Sequence, residues 1–430
     1  MQGSISRIIG RQVWDSRGRP TVEVDVIVDE HHLGRGIAPA GASRGTREAV
    51  ELRDAAQGGF GVRSAVERVN ERIAPLLLGR SIADPAALDT LICLADGTPQ
   101  KSALGGNATT ATSLALWQAA AATAKQPLWR YLADAAPVTL PMPQVQIFGG
   151  GAHAARRVDI QDFLAIPLGA TSFAEAMDMI AAVYRSAGEV LRRRAPAAGT
   201  ADEGGWWPAF SSNEDALGSL VEAIERAGFH PGEDIGIAVD VAASEFHRNE
   251  GYELALEERR FAREEWLEHL SGWIHRYPIV SIEDPFGQDD DQGWDLFGPR
   301  FCNTLQVIGD DYLVTSAARV SEAARRGACN AVLLKVNQRG TVGETLAALQ
   351  AARRAGFGTV VSARSGESED TAIAHLAVGW NAGQIKVGSI TRGERTAKWN
   401  ELLRIEESLG AQAVFAGRSA VQRGPSNRGT

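Results

Sequence analysis

The feature that most constrains this chain is a series of short apolar runs in its second half, at 236–240, 279–284, 306–311, 331–337, 359–362 and 384–388. Stretches of helical composition separate them, and strands alternating with helices build parallel sheets from βα units. No Gly-x-Gly-x-x-Gly fingerprint follows the first of these strands, so a closed barrel is more economical than a dinucleotide-binding sheet. The fold class expected is α/β, a TIM-type (β/α) barrel over 143–417. A tail at 418–430, rich in Ser, Gly and Arg, is expected to fray.

The first 135 residues read differently. Val22, Val24, Val26 and Val28 alternate with polar neighbours that include Glu23 and Asp25, the period-2 pattern of a strand with one wet face. With 5–13 and 33–38 this run predicts a small antiparallel sheet, and helical composition marks 47–53, 65–78 and 108–125. The expectation is an N-terminal α+β lid domain over 1–135. The run Phe148-Gly149-Gly150-Gly151 reads as a flexible loop.

Composition narrows the function. A chain of 430 residues with 44% hydrophobic content can bury a large core, and its net charge of -9 disfavours unspecific attraction to nucleic acid. Three cysteines, Cys93, Cys302 and Cys329, are too few for a disulfide scaffold. Residues 1–12 lack an apolar signal-peptide core, and no run reaches the roughly 20 apolar residues of a membrane span. A cytoplasmic protein without membrane partners is expected.

Nearly every apolar run ends in an ionisable group: Asp240, Glu283 with Asp284, Asp310 with Asp311, Lys335 and Lys386. Each acid alone could be a helix N-cap or a solvated loop residue, and each lysine could reach into solvent. As a series at the strand ends, where barrel enzymes carry their chemistry, they predict one site. Three carboxylates aimed at a point need a cation, and an all-oxygen donor set suits Mg²⁺. Lys335 and Lys386, read as lying on adjacent later strands, add positive charge. Each other's charge and the metal are expected to lower one lysine pKa until it can act as a base beside a carboxylate.

Longer stretches carry a resemblance. They include Asp15-Ser16-Arg17-Gly18, Gly41-Ala42-Ser43, Val158-Asp159-Ile160-Gln161, Asp202-Glu203-Gly204-Gly205, Ser281-Ile282-Glu283-Asp284, Leu334-Lys335-Val336-Asn337-Gln338, Arg364-Ser365-Gly366-Glu367 and Gly383-Gln384-Ile385-Lys386. In these the chain resembles the enolase family over nearly its whole length. The resemblance implies that Asp240, Glu283 and Asp310 bind a first Mg²⁺ and that Ser43 on a lid joins a second. It implies Lys335 as base, Lys386 on the substrate carboxylate, Glu203 on the leaving-group side, and Arg364 with Ser365 on the phosphate. His153 matches the lid histidine, Gln161 lies in a matching motif, and Arg17 and Glu407 lie in interface motifs, implying a homodimer or higher homo-oligomer.

Departures concentrate on one side of this implied site. Asp162 stands where the family has glutamate, Ala363 where it has histidine, and Ala40 and Arg44 where the lid has serine and threonine. Gly149-Gly150-Gly151 replaces Asn-Gly-Gly, and Arg156, Arg157 and Arg339 occupy positions normally uncharged. Shortening Glu to Asp withdraws a carboxylate by about 1.5 Å, enough to disturb catalytic geometry. Arg44, Arg156, Arg157 and Arg339 are expected to approach an enlarged phosphate pocket. This pattern resembles carboxyphosphonoenolpyruvate synthases of phosphonate antibiotic pathways, with a phosphorylated or phosphonylated acid, or a nucleotide-activated phosphonoformate, as partner. An ordinary phosphopyruvate hydratase and a non-catalytic binding protein of the same fold are the alternatives.

Overall fold

The computed structural model describes residues 3–194, 199–249 and 251–421. Strands β1 (Ile5–Trp14), β2 (Pro20–Val28) and β3 (His32–Ile37) form the expected antiparallel sheet, but the wet face read for β2 is covered, Glu23 and Asp25 being buried under Arg11 and Arg35 from the flanking strands. The helix Gly106–Thr123 lies across β2 and β3. Its approach is unusually close because β3 offers glycine at the contact: a Cβ on Gly34 would stand 2.1 Å from the Ala115 carbonyl oxygen, and one on Gly36 would stand 2.5 Å from that of Ala111. Alanines on the facing side of the helix complete this tight seam.

The stretch 47–53 departs from expectation, being irregular rather than helical. Its backbone is committed elsewhere: Ala49 N–H donates to Gln338, Val50 N–H to Gln100, and the Glu48 carboxylate accepts from Gly45 N–H. These partners, two of them distant in sequence, outweigh a helical propensity that is only a weak prior. A helix at Pro85–Asp96, capped by Asp84, went unread in the sequence.

Eight strands close the barrel rather than the six legible as apolar runs. They are β4 (Met142–Gly149), β5 (Asp162–Ile166), β6 (Gly236–Asp240), β10 (Ile279–Glu283), β11 (Gln306–Gly309), β12 (Ala331–Leu334), β13 (Gly358–Ser362) and β14 (Gly383–Gly388). Between β6 and β10 a small separate sheet, β7 (His247–Arg248), β8 (Gly251–Leu254) and β9 (Arg259–Ala262), projects from the barrel sequence. β5 runs antiparallel to both neighbours, so its first residue, Asp162, pairs with Asp240 at the last residue of β6. A reversed strand thereby brings its N-terminal end to the face where the other strands end.

Two further expectations change. The glycine run is not a loose loop: Gly149 ends β4, and Gly150 N–H donates to the Gln161 carbonyl, with Ile160 and Val158 too close for any Cβ. The first residues of the tail are packed, since Val421 is buried against Met142, Leu164 and Ile166 and the Ala420 carbonyl accepts from Gln384. Residues 422–430 lie outside the described residues. Among the described residues no helix is long and apolar enough to cross a membrane.

Replacing Gly34 with Ala should destabilise the protein by about 1–3 kcal/mol through overpacking of the sheet–helix seam. Chemical denaturation of the variant beside the wild type measures this, and an unchanged midpoint would mean that the helix can retreat freely.

Candidate active site

The barrel's strand ends converge on a cavity lined by Ser43, His153, Gln161, Asp162, Glu203, Asp240, Lys335, Ser362, Ala363, Arg364, Ser365, Lys386 and Val387. Roomier clefts lie elsewhere, but they are open surface grooves without a comparable convergence of buried charge. The strand-end series is thus brought together, with one adjustment. β13 separates β12 from β14, so Lys335 and Lys386 are not on adjacent strands and approach from different directions.

Lys386, on β14, donates to Asp240 at 2.7 Å and to Glu283 at 2.8 Å. Lys335, just after β12, donates to Asp310 Oδ2 at 2.5 Å, while Gln338 Nε2 donates to the other Asp310 oxygen at 2.8 Å. Three acids against two ammonium groups leave an excess negative charge in a buried space. Burial, then Asp240, pushes the Glu283 carboxyl well above its usual range, and its Oε1 has no hydrogen-bond partner. A donor set of oxygens with an orphaned buried carboxylate atom fits a hard divalent cation.

The lysines answer differently from the sequence-based expectation. Burial works to lower the Lys335 pKa, but the touching Asp310 carboxylate together with Glu283 outweighs it and the net direction is upward. For Lys386 burial is likewise opposed by Asp240 and Glu283, and its pKa is raised well above the ordinary value. Proximity to carboxylates dominates repulsion between the two ammonium groups.

Asp284 and Asp311, read alongside their neighbours as strand-end acids, play another part. Asp284 accepts the backbone N–H groups of Asp310 and Asp311, both at 2.8 Å, and so fixes the end of β11 where Asp310 projects. Asp284, Asp310 and Asp311 also cluster closely enough to suggest a metal-binding group. The two backbone bonds held by Asp284 make positioning its better-supported role.

Across the cavity stands a second network. His153 is buried, with Nδ1 3.0 Å from Asp162 Oδ1, Nε2 3.0 Å from Ser365 Oγ, and Glu203 Oε1 3.7 Å from Nε2. Burial lowers its pKa, but Asp162 and then Glu203 more than compensate, pushing it up to about 9. Asp162 is held low by His153 against the burial cost. Gln161 donates to Asp240 at 3.1 Å, linking this network to the first.

The segment from Ala42 to Glu48 closes the third side. Arg364 makes two bonds to Glu48, at 2.9 and 3.1 Å, and also donates to Asn337 and to the Ser43 carbonyl. Ala42 N–H donates to Ser365 Oγ at 3.1 Å. Glu48 and Gln338 were not singled out in the sequence as site residues. Gln338 lies three residues past Lys335 in a matching motif, whereas Glu48 becomes meaningful only when the fold sets it on Arg364.

The four additional arginines do not line the cavity. Arg44 pairs with Glu51 at 2.9 Å, Arg156 with Glu245 at 2.6 Å and Arg339 with Glu344 at 3.3 Å, while Arg157 stacks over Trp207. Three are held by a local carboxylate and Arg157 by an aromatic ring, so the expected approach to the phosphate pocket is corrected. Ala363 does line it, as expected.

Residues 5–132 match the family model described as enolase, N-terminal domain, and residues 137–423 match enolase, C-terminal TIM barrel domain. The chain belongs to the enolase family. It is 48% identical over 421 residues to "Enolase 1" of Desulfitobacterium hafniense (strain Y51), covering 96% of each chain. This places an enolase-family enzyme behind the two opposed networks, and a divalent metal accords with the acids that face Lys335 and Lys386.

A raised histidine pKa makes stability depend on pH. The stabilisation from protonated His153 should be complete below about pH 6.5 and lost as pH rises through about 9. Urea denaturation from pH 6 to 10 should therefore show a decline in the wild type that is shallower in His153→Gln. Parallel curves would place the charge elsewhere.

Proposed function

We propose that this enzyme is a Mg²⁺-dependent lyase that takes the proton next to the carboxylate of a 2-phosphoglycerate-like acid and expels a group from the adjacent carbon. The supporting observation is the opposition of Lys335 to the network of His153, Asp162 and Glu203 across one cavity. In phosphopyruvate hydratase chemistry, neutral Lys335 takes the C2 proton and the C–H electron pair passes into the carboxylate as an enolate. That pair then forms the C2–C3 double bond as the C3–O bond breaks, and a proton from the Glu203 side completes water. Lys386 binds the carboxylate, while Arg364 and Ser365 receive the phosphate.

Asp240, Glu283 and Asp310 would hold a first Mg²⁺ and Ser43 would join a second. The metal would supply positive charge to stabilise the doubly charged enolate and would compete with Lys335 for Asp310, favouring the free amine. Gln161 would remain a positioning partner of Asp240.

A second reading is the carboxyphosphonoenolpyruvate-forming paralogue, favoured specifically by Ala363 and Asp162. A methyl group in place of imidazole leaves room on the phosphorus side, and the shorter acid alters the leaving-group side. The pairing of Arg44, Arg156 and Arg339 with local acids, and the stacking of Arg157 on Trp207, remove the support for a nucleotide-activated phosphonoformate.

Steady-state turnover of 2-phosphoglycerate separates the readings, using an ordinary enolase for comparison together with the double variant Asp162→Glu, Ala363→His. A wild-type rate within about tenfold of the ordinary enzyme, about 1.4 kcal/mol in barrier, supports the hydratase. A far lower rate that the double variant partly recovers supports the paralogue, and absence of turnover in both proteins would overturn the hydratase reading.

A further inference from the structure

The leaving-group network rests on a residue that the preceding roles do not include. Gln146, on β4, is fully buried and its amide is used at both ends: Nε2 donates to Asp162 Oδ1 at 2.5 Å, and Oε1 accepts from Gly205 N–H at 2.8 Å. Gly205 lies two residues after Glu203, so one side chain ties Asp162 to the loop that carries Glu203. Its place is closely shaped. A Cβ on Gly205 would stand 2.5 Å from Gln146 Oε1, and one on Gly149 would stand 3.3 Å from Nε2.

We infer that Gln146 is the positioning residue that sets the reach of Asp162 and fixes its distance to the Glu203 loop. Two facts favour this over a merely space-filling amide. Asp162 Oδ1 is the atom that also faces His153 Nδ1, so the Gln146 bond selects the carboxylate orientation that meets the histidine. Asp162 Oδ2 has no hydrogen-bond partner, which leaves Gln146 and His153 as the hydrogen-bonding contacts that hold the carboxylate in place, with Lys386 further away at 3.8 Å. Without the amide, rotation about the Asp162 side chain would carry Oδ1 away from His153.

The geometry also predicts a reciprocal length rule. Gln146 is in register with Leu164 and Asp162 with Gly149 on the paired strands β4 and β5, so the 2.5 Å contact between the two side chains bridges a diagonal gap. Shortening Gln146 to Asn opens it by about 1.5 Å, and lengthening Asp162 to Glu overfills it by a similar amount. Made together, the two changes should restore contact. This inference rests on the proposed placement of the leaving group beside Asp162 and Glu203 for its kinetic consequence, but not for its structural one.

The test compares Gln146→Asn, Gln146→Leu, Asp162→Glu and the double variant Gln146→Asn, Asp162→Glu with the wild-type Mg²⁺-loaded enzyme. The readouts are kcat and KM for 2-phosphoglycerate and the titration of ¹⁵N-labelled His153. The groups facing this ring are Asp162, Glu203 and Ser365, with Asp240 acting at longer range. Each Gln146 single variant should lower kcat at least about tenfold with KM within about twofold and should move the His153 titration toward its ordinary range. The double variant should recover most of both losses. Unmoved His153 titration in Gln146→Leu, or a double variant no better than Gln146→Asn, would overturn the inference. If the wild type fails to turn over 2-phosphoglycerate, the proposed function is what fails, and the His153 titrations still decide the role of Gln146.

Discussion

The structure depends on an imbalance of buried charge: the carboxylates of Asp240, Glu283 and Asp310 meet two ammonium groups, those of Lys335 and Lys386, at the barrel mouth. Burying charges without full compensation costs stability, and proteins tolerate such clusters where function requires them. The barrel supplies the rigidity this needs. Each acid and lysine sits at or beside a strand end whose neighbours are hydrogen-bonded around a closed ring, so mutual repulsion cannot splay them apart. Asp284 adds a local restraint by clamping two backbone N–H groups beside Asp310.

The N-terminal domain makes the mouth a chamber. Glu48 neutralises Arg364, Asn337 donates to the Pro39 carbonyl, and Ala40 exchanges backbone hydrogen bonds with Gly366. The N-terminal domain therefore holds the very turn that carries Arg364 and Ser365. From beneath, Arg395 donates to the carbonyls of both residues at 2.7 and 2.6 Å. Glu48 and the Ser43 carbonyl together tie the Arg364 guanidinium to the N-terminal domain.

Much of this was legible in the residues because strand-end chemistry is periodic. Asp240, Glu283, Asp310, Lys335 and Lys386 each lie at or near the end of an apolar run, and the structure gathers all of them. β4 and β5 escaped because neither run closes on an obvious strand-end charge and β5 enters the barrel in reverse, placing Asp162 at its start. The irregular course of 47–53 was illegible because its hydrogen-bond partners lie in distant segments. The arginines at 44, 156, 157 and 339 show the opposite error: charge is visible in sequence, but the acids that pair with three of them and the Trp207 ring under Arg157 are not. Lysine pKa directions failed for a related reason, since contact distances to carboxylates are properties of the fold.

The central claim is that Lys335 takes a proton from carbon on the side of the cavity facing the acids. Its most direct test is exchange of the C2 hydrogen of 2-phosphoglycerate in buffered D₂O with Mg²⁺, followed by NMR. The account predicts deuterium incorporation by the wild type and none above background in Lys335→Ala with its fold intact. Incorporation persisting in that variant at the wild-type rate would contradict it.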